Sequence, residues 1–213
     1  MSTGGVRLAL ISSLLSALLI GCSASSNPNV TPLHRSTVLI EHEKGHGSGL
    51  IVGPRRVLTA FHVVQGEALD VRFFSGEANA GSIIWSDSER DLALVDVDIP
   101  DGHPEAFLSC ERPVPGQHVM SVGHPIQSQW VLVGGYLPNQ GLVAGRYVSL
   151  GFPVGLGTSG GPVFDDEGQV VGITLAILAE RHSTEAAYDA FKDTGIGLML
   201  PASEFCHSLG AAR

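Results

Sequence analysis

From Thr37 onward the chain alternates short β-branched and aromatic runs with Gly, Pro, Asn and Asp punctuation. Val38-Leu39-Ile40, Gly49-Leu50-Ile51-Val52, Val57-Leu58-Thr59, Val71-Arg72-Phe73-Phe74 and Leu92-Ala93-Leu94-Val95-Asp96-Val97 make a first set. His118-Val119-Met120-Ser121-Val122, Trp130-Val131-Leu132-Val133, Arg146-Tyr147-Val148-Ser149-Leu150, Gln169-Val170-Val171-Gly172-Ile173 and Gly195-Ile196-Gly197-Leu198-Met199-Leu200 make a second. Runs of this length and composition between turn signals read as strands, and many of them at regular spacing predict an all-β sandwich or barrel. A Pro-rich stretch, residues 104–115, divides the two sets. Helical composition is confined to residues 180–192 and 202–209; the first is expected to belong to a long surface loop, the second to a short C-terminal helix.

The pattern before Thr37 is different. Arg7 is the one charge ahead of an apolar run, residues 8–20, which is too short to span a bilayer as a helix. Residues 1–21 therefore read as a signal peptide. The run closes on Leu19-Ile20-Gly21-Cys22, which resembles a bacterial lipobox and implies cleavage before Cys22 and its lipidation. Two or more acyl chains would make a stable anchor. Ser23 rather than Asp after Cys22 implies the outer membrane, facing the periplasm, in a two-membrane cell. The competing reading is an ordinary secretory signal with a cysteine near the cut. Residues 22–34 are polar and Pro-containing, which predicts a flexible tether.

Charge narrows the function. The formal balance of −9 becomes −10 once Arg7 is removed, and Lys44 and Lys192 are the only lysines. Such a chain has no electrostatic footprint for nucleic acid. Of three cysteines, Cys22 is assigned to lipidation, leaving Cys110 and Cys206 as a candidate disulfide in an exported protein; two free buried thiols are the alternative.

Three motifs carry chemistry: Thr59-Ala60-Phe61-His62, Arg90-Asp91-Leu92-Ala93-Leu94 and Gly157-Thr158-Ser159-Gly160-Gly161-Pro162. A serine hydroxyl is a poor nucleophile at neutral pH, so it needs a base in reach and a carboxylate behind that base. Glycines around Ser159 permit left-handed backbone and let main-chain N–H groups converge. In this His…Asp…Ser order the chain resembles the chymotrypsin-like serine proteases, and most closely their bacterial HtrA/Deg-type branch.

That resemblance covers residues 35–209 and implies two six-stranded antiparallel β-barrels with a short C-terminal helix, one from about residue 35 to 103 and the other from about 116 to 201. It implies a catalytic triad of His62, Asp91 and Ser159, with the amides of Gly157 and Ser159 as oxyanion hole. The strand Thr174-Leu175-Ala176 would pair with an extended substrate, and Phe152-Pro153-Val154 with Ile177 would line an apolar primary pocket, since Pro153 stands where trypsin-type enzymes carry Asp. Thr174 matches a position that supports the triad carboxylate. The implied activity is endopeptidase hydrolysis of unfolded or extended polypeptides, without cofactor or metal. The PDZ domains that usually follow in HtrA proteins are expected to be absent, and some family members are trimers, although nothing in this sequence marks an oligomer. Thr158 and Phe61 depart from the usual pattern, Phe61 in a way that would crowd the neighbouring subsite.

Other readings compete. His62 could be a satisfied core histidine, and Asp91 a turn carboxylate paired with Arg90. His42-Glu43-Lys44-Gly45-His46 fits the H-E-x-x-H zinc pattern, but the surrounding glycines predict a hairpin tip rather than the helix this chemistry needs. Gly157-Thr158-Ser159-Gly160-Gly161 also fits the nucleophile elbow of α/β hydrolases, which requires a helix after the serine where Pro162-Val163-Phe164 predicts a strand. A binding or chaperone module on the same fold, gated or non-catalytic, is the remaining alternative, with 141–157 and 180–193 as its mobile loops.

Overall fold

The computed structural model describes residues 30–65, 68–139, 141–182 and 190–211. Among the described residues twelve strands and three short α-helices are formed. β1 (Thr37–His42), β2 (Gly45–Gly53), β3 (Arg56–Ala60), β4 (Leu69–Arg72), β5 (Ala78–Asp87) and β6 (Leu92–Asp96) close into an antiparallel barrel in the order β1-β2-β3-β6-β5-β4. Closure removes both sheet edges. β1 pairs with β2 on one side (Thr37↔Leu50) and with β4 on the other (Ile40↔Val71). Val38, Ile40, Leu50, Leu58, Val71, Phe73, Leu92 and Leu94 fill the interior and are all but fully buried.

The second half comprises β7 (His118–Gly123), β8 (Val131–Tyr136), β9 (Val148–Pro153), β10 (Pro162–Phe164), β11 (Val170–His182) and β12 (Ala190–Pro201), in the order β8-β7-β10-β11-β12-β9. Its end strands approach where Gly135 on β8 meets Gly151 and Phe152 on β9, so this sheet curls toward a barrel as well. Val119, Leu150, Phe152, Val163, Val171 and Met199 form its own core. The larger apolar cluster runs from the first barrel through Val122, Phe164, Ile173 and Leu200 to Phe205, so both halves share a packed seam. A fully buried aliphatic side chain of this kind contributes about 1.5–3 kcal/mol.

The all-β double-barrel expectation agrees with this architecture, and α3 (Cys206–Ala211) after a 3₁₀ turn at Ala202–Glu204 is the expected C-terminal helix. Cys110 and Cys206 are joined as a disulfide, with Cα atoms 5.7 Å apart, which ties the linker to that helix. A bridge across 96 residues stabilises a domain by about 2–4 kcal/mol.

Two local expectations need correction, and one strand was not foreseen. Residues 30–34, read as the end of a tether, belong to α1 (Val30–Ser36). Pro32 is tolerated in a first helical turn, and Leu33 is buried in the shared core while its carbonyl accepts the hydroxyls of Ser36 (3.1 Å) and Thr37 (2.8 Å). Residues 180–182 and 190–192, given helical composition or a loop, extend β11 and β12 in register (Glu180↔Lys192, His182↔Ala190). β5 was not among the predicted strands, although Ile83-Ile84-Trp85 within it is a β-branched and aromatic run. Residues 1–29, including Cys22, lie outside the described residues.

Candidate active site

His62 sits on α2 (Phe61–Val64), a single helical turn directly after β3. The turn is fixed by the residue it faces. Phe61 N–H donates to the Asp91 carbonyl at 3.0 Å, and His62 N–H donates to Asp91 Oδ1 at 2.9 Å. The other carboxylate oxygen, Oδ2, lies 2.6 Å from His62 Nδ1. One carboxylate thus sets both the backbone and the ring of the histidine, leaving Nε2 free of it. Asp91 holds a left-handed φ of 56°, a conformation Asp tolerates better than most residues.

Arg90 does not compete for this carboxylate. Its guanidinium donates to Asp87 at 2.8 Å, while Asp87 Oδ1 accepts the N–H groups of Glu89 and Arg90. Burial works to raise the Asp87 carboxyl, but Arg90 and the two backbone donors outweigh it and hold it below the usual carboxylate range. The pairing of Asp91 with Arg90 is therefore overturned; Asp91 pairs with His62.

Ser159 arrives from the second barrel. Its carbonyl accepts Ser48 N–H from β2 at 2.8 Å, Gly160 N–H donates to Thr174 at 2.7 Å, and Thr174 N–H donates to Gly161 at 2.9 Å. The turn meets α2 at Gly47: a Cβ there would lie 2.5 Å from Val63, the residue after His62, and 3.2 Å from the Ser159 carbonyl. Only a residue without a side chain lets the histidine helix and the serine turn share this space.

Gly160 is equally constrained, with φ of 83° and a would-be Cβ 2.2 Å from the Ser48 carbonyl and 2.3 Å from Thr59 Oγ1. Gly160→Ala is expected to destabilise the domain by about 3 kcal/mol through overpacking and left-handed strain. A thermal melt would show it as a fall of roughly 10 °C; an unchanged midpoint would mean the two halves are not buckled here.

Gly157 has φ of 97°. The peptide on its N-terminal side is held by Ile126 N–H, which donates to the Leu156 carbonyl at 2.8 Å; its own carbonyl accepts Ser48 Oγ at 2.8 Å. Among the described residues no backbone carbonyl takes up the N–H of Gly157 or Ser159. Two fixed, unengaged donors beside a serine are what oxyanion stabilisation requires.

Of the residues predicted to bind substrate, Thr174 uses its backbone N–H and C=O on the serine turn, and its hydroxyl lies 3.5 Å from Ser121 Oγ rather than on Asp91. β10 pairs with β11 only as far as Ile173, so from Leu175 through Ala176 to Ile177 that edge has no strand partner among the described residues. Val154 donates its N–H to Gly195 and packs over Gly197, opposite Ile177 in the β11–β12 register. Pro153 and Val154 also line a cavity of about 140 Å³ behind the turn, with Ser121, Val131, Val133 and Thr158. Phe152 is a core residue instead. His42 and His46 flank a hairpin tip, not a helix turn: His42 accepts Lys44 N–H, and His46 Nε2 lies 2.8 Å from the His124 carbonyl.

Sequence reasoning missed His124. Its N–H donates to Ser48 Oγ (3.2 Å), its Nδ1 accepts Trp130 N–H (3.2 Å), and Trp130 Nε1–H reaches the Thr37 carbonyl (3.2 Å). The backbone of His124 thus braces the hydroxyl that holds Gly157, while its ring holds Trp130. Burial, and then His46 nearby, lower its pKa to about 4 against the opposing pull of the Val38 carbonyl. Unfolded, it titrates near 6.5, so between pH 6.5 and 4 the unfolded chain binds a proton the native one does not. Stability is then expected to be intact above about pH 6.5 and to fall by about 3 kcal/mol toward pH 4. Melting curves from pH 7 to 4.5 should be flatter for His124→Asn; equal slopes would remove His124 as the cause.

The family model for the trypsin-like peptidase domain matches residues 47–173. A DegP-like chain from Brucella suis biovar 1, named as a probable periplasmic serine endoprotease, is 31% identical over 173 residues, covering 76% of this chain and 32% of its own. A chain of the same name from Hahella chejuensis is 34% identical over 142 residues, covering 62% and 29%. The chain thus spans about a third of the length of such relatives. Among solved structures, the inactive form of the Rv3671c protease superposes with a TM-score of 0.69 at 24% identity, covering 87% of this chain and 92% of that one. The serine endoprotease from Yersinia pestis gives 0.71 at 20% identity, covering 86% and 64%. At these identities the likeness concerns the fold.

Proposed function

The chain belongs to the trypsin-like peptidase domain family, and from that premise we propose that it is a serine endopeptidase cutting unfolded or extended polypeptide segments. The observation that carries the reading is the 2.6 Å contact of His62 Nδ1 with Asp91, on a helix that meets the Ser159 turn at Gly47. In the proposed mechanism Ser159 Oγ attacks the scissile carbonyl while His62 Nε2 accepts its proton and later delivers it to the leaving amine. Asp91 fixes the tautomer and stabilises the imidazolium, and the Gly157 and Ser159 amides receive the oxyanion.

The unpartnered edge from Leu175 to Ile177 supports substrate binding as an added strand, which selects extended over folded segments. Val154 over Gly197 and Ile177 beside it support a shallow apolar primary pocket, suited to Val, Ala, Ile or Leu. The protease domain is assigned to residues 35–209. Lipidated Cys22, after removal of residues 1–21, would hold it at the cell envelope, a placement in keeping with the periplasmic naming of its DegP-like relatives. The full chain in detergent is expected to degrade unfolded casein and to leave a folded protein of similar size intact. Failure to cut casein under any condition would favour the non-catalytic module.

A further inference from the structure

The serine turn has an exposed apolar neighbour that the proposed mechanism does not use. Ile126 adopts φ of 55°, a region that β-branched residues rarely enter, and its side chain is 70% exposed. Leu156, three residues before Ser159, is 74% exposed. The two are joined by the 2.8 Å bond from Ile126 N–H to the Leu156 carbonyl, and a Cβ on Gly155 would stand 4.0 Å from Ile126 Cγ1, so the isoleucine lies over the start of the turn.

The loop presenting Ile126 is braced at both ends. His124 is fixed to Ser48, Ser128 N–H donates to the Pro125 carbonyl at 2.9 Å, and Trp130 is tied to His124 and Thr37 with its indole edge-on to the His124 ring at 4.8 Å. Exposure of Ile126 is thus imposed by a built frame. Strain of this kind persists where surrounding structure over-determines it, and it gathers at functional sites.

We propose that Ile126 and Leu156 form an apolar ledge that receives a nonpolar side chain of the polypeptide substrate on the leaving-group side of the scissile bond. The inference rests on the endopeptidase reading. The free edge of β11 adjoins Gly160 and Gly161, which follow Ser159, whereas the ledge adjoins Gly157, which precedes it. A substrate whose acyl side pairs with β11 crosses the nucleophile and departs over the ledge. Neither residue offers a charge or a polar side-chain atom, so the side chain recognised is Leu, Ile, Met or Phe.

The test uses the full chain and quenched peptides that share one acyl side and carry Leu or Gly at each of the first three positions after the scissile bond. At one of these positions kcat/KM is expected to favour Leu by about 10-fold. In Leu156→Ser and in Ile126→Asn, the latter tolerant of positive φ, the ratio should fall to about 2, because any general loss of catalysis cancels within it. Loss of the preference in either variant supports the ledge. No preference in the wild type, or a preference surviving in both variants, overturns the ledge while leaving the protease reading intact. A wild type that cuts none of the peptides and takes no fluorophosphonate label overturns that reading, and the ledge with it.

Discussion

Ser159→Ala should lower turnover of an unfolded protein substrate by roughly 10⁶, the loss typical of removing the nucleophile from a triad that acts as a unit. The fold should not notice. Ser159 is tied into the seam by its carbonyl, through Ser48 N–H, and by its neighbours, through the Gly160 and Gly161 bonds to Thr174. None of these contacts uses Oγ. Steady-state kinetics with a quenched peptide, set beside a thermal melt, separate the two effects. A loss below 10-fold would place the nucleophile at another residue.

Asp91→Asn should cost about 10⁴ in kcat, as the same replacement does in other Ser-His-Asp enzymes. An amide NH₂ placed 2.6 Å from His62 Nδ1 would stabilise the tautomer that has no free Nε2 to accept the serine proton. The substitution spares local structure: Asn accepts the left-handed φ of 56°, and its carbonyl oxygen can still take the His62 N–H. Low kcat with an unchanged melting midpoint is the expected signature. Full activity in Asp91→Asn would mean that the contact serves folding only.

What the sequence disclosed depended on how local the governing physics was. The strands around Ile40, Leu50, Leu58 and Leu94 were legible because a barrel wall forces buried and β-branched residues into short runs. The motifs at His62, Asp91 and Ser159 stood out because each is a short stretch with distinctive neighbours, such as the glycines about Ser159, and the contact of His62 with Asp91 follows from two of them. β5 was not predicted, since its first half, Ala78 to Ser82, is built of small residues and only Ile83-Ile84-Trp85 carries a strand composition. α1 was hidden because its reason to be helical lies elsewhere, in the pocket that Leu33 fills. Tertiary burial decided it, not propensity.

The pieces around the Ser159 turn were the hardest to foresee. His124 and Trp130 act through partners far along the chain, at Ser48 and Thr37. Ile126 breaks a local rule outright, since nothing in Pro-Ile-Gln-Ser predicts a left-handed isoleucine. Departures of that kind tend to mark working sites. The glycines were the better guide: Gly47, Gly157 and Gly160 each occupy a place where a Cβ would strike another segment.

The most direct test of the account is to treat the full chain with a fluorophosphonate and map the adduct by mass spectrometry. Phosphonylation at Ser159 in the wild type, lost in His62→Ala, is the predicted result. An adduct on a different serine, or one at Ser159 that forms equally fast without His62, would contradict it.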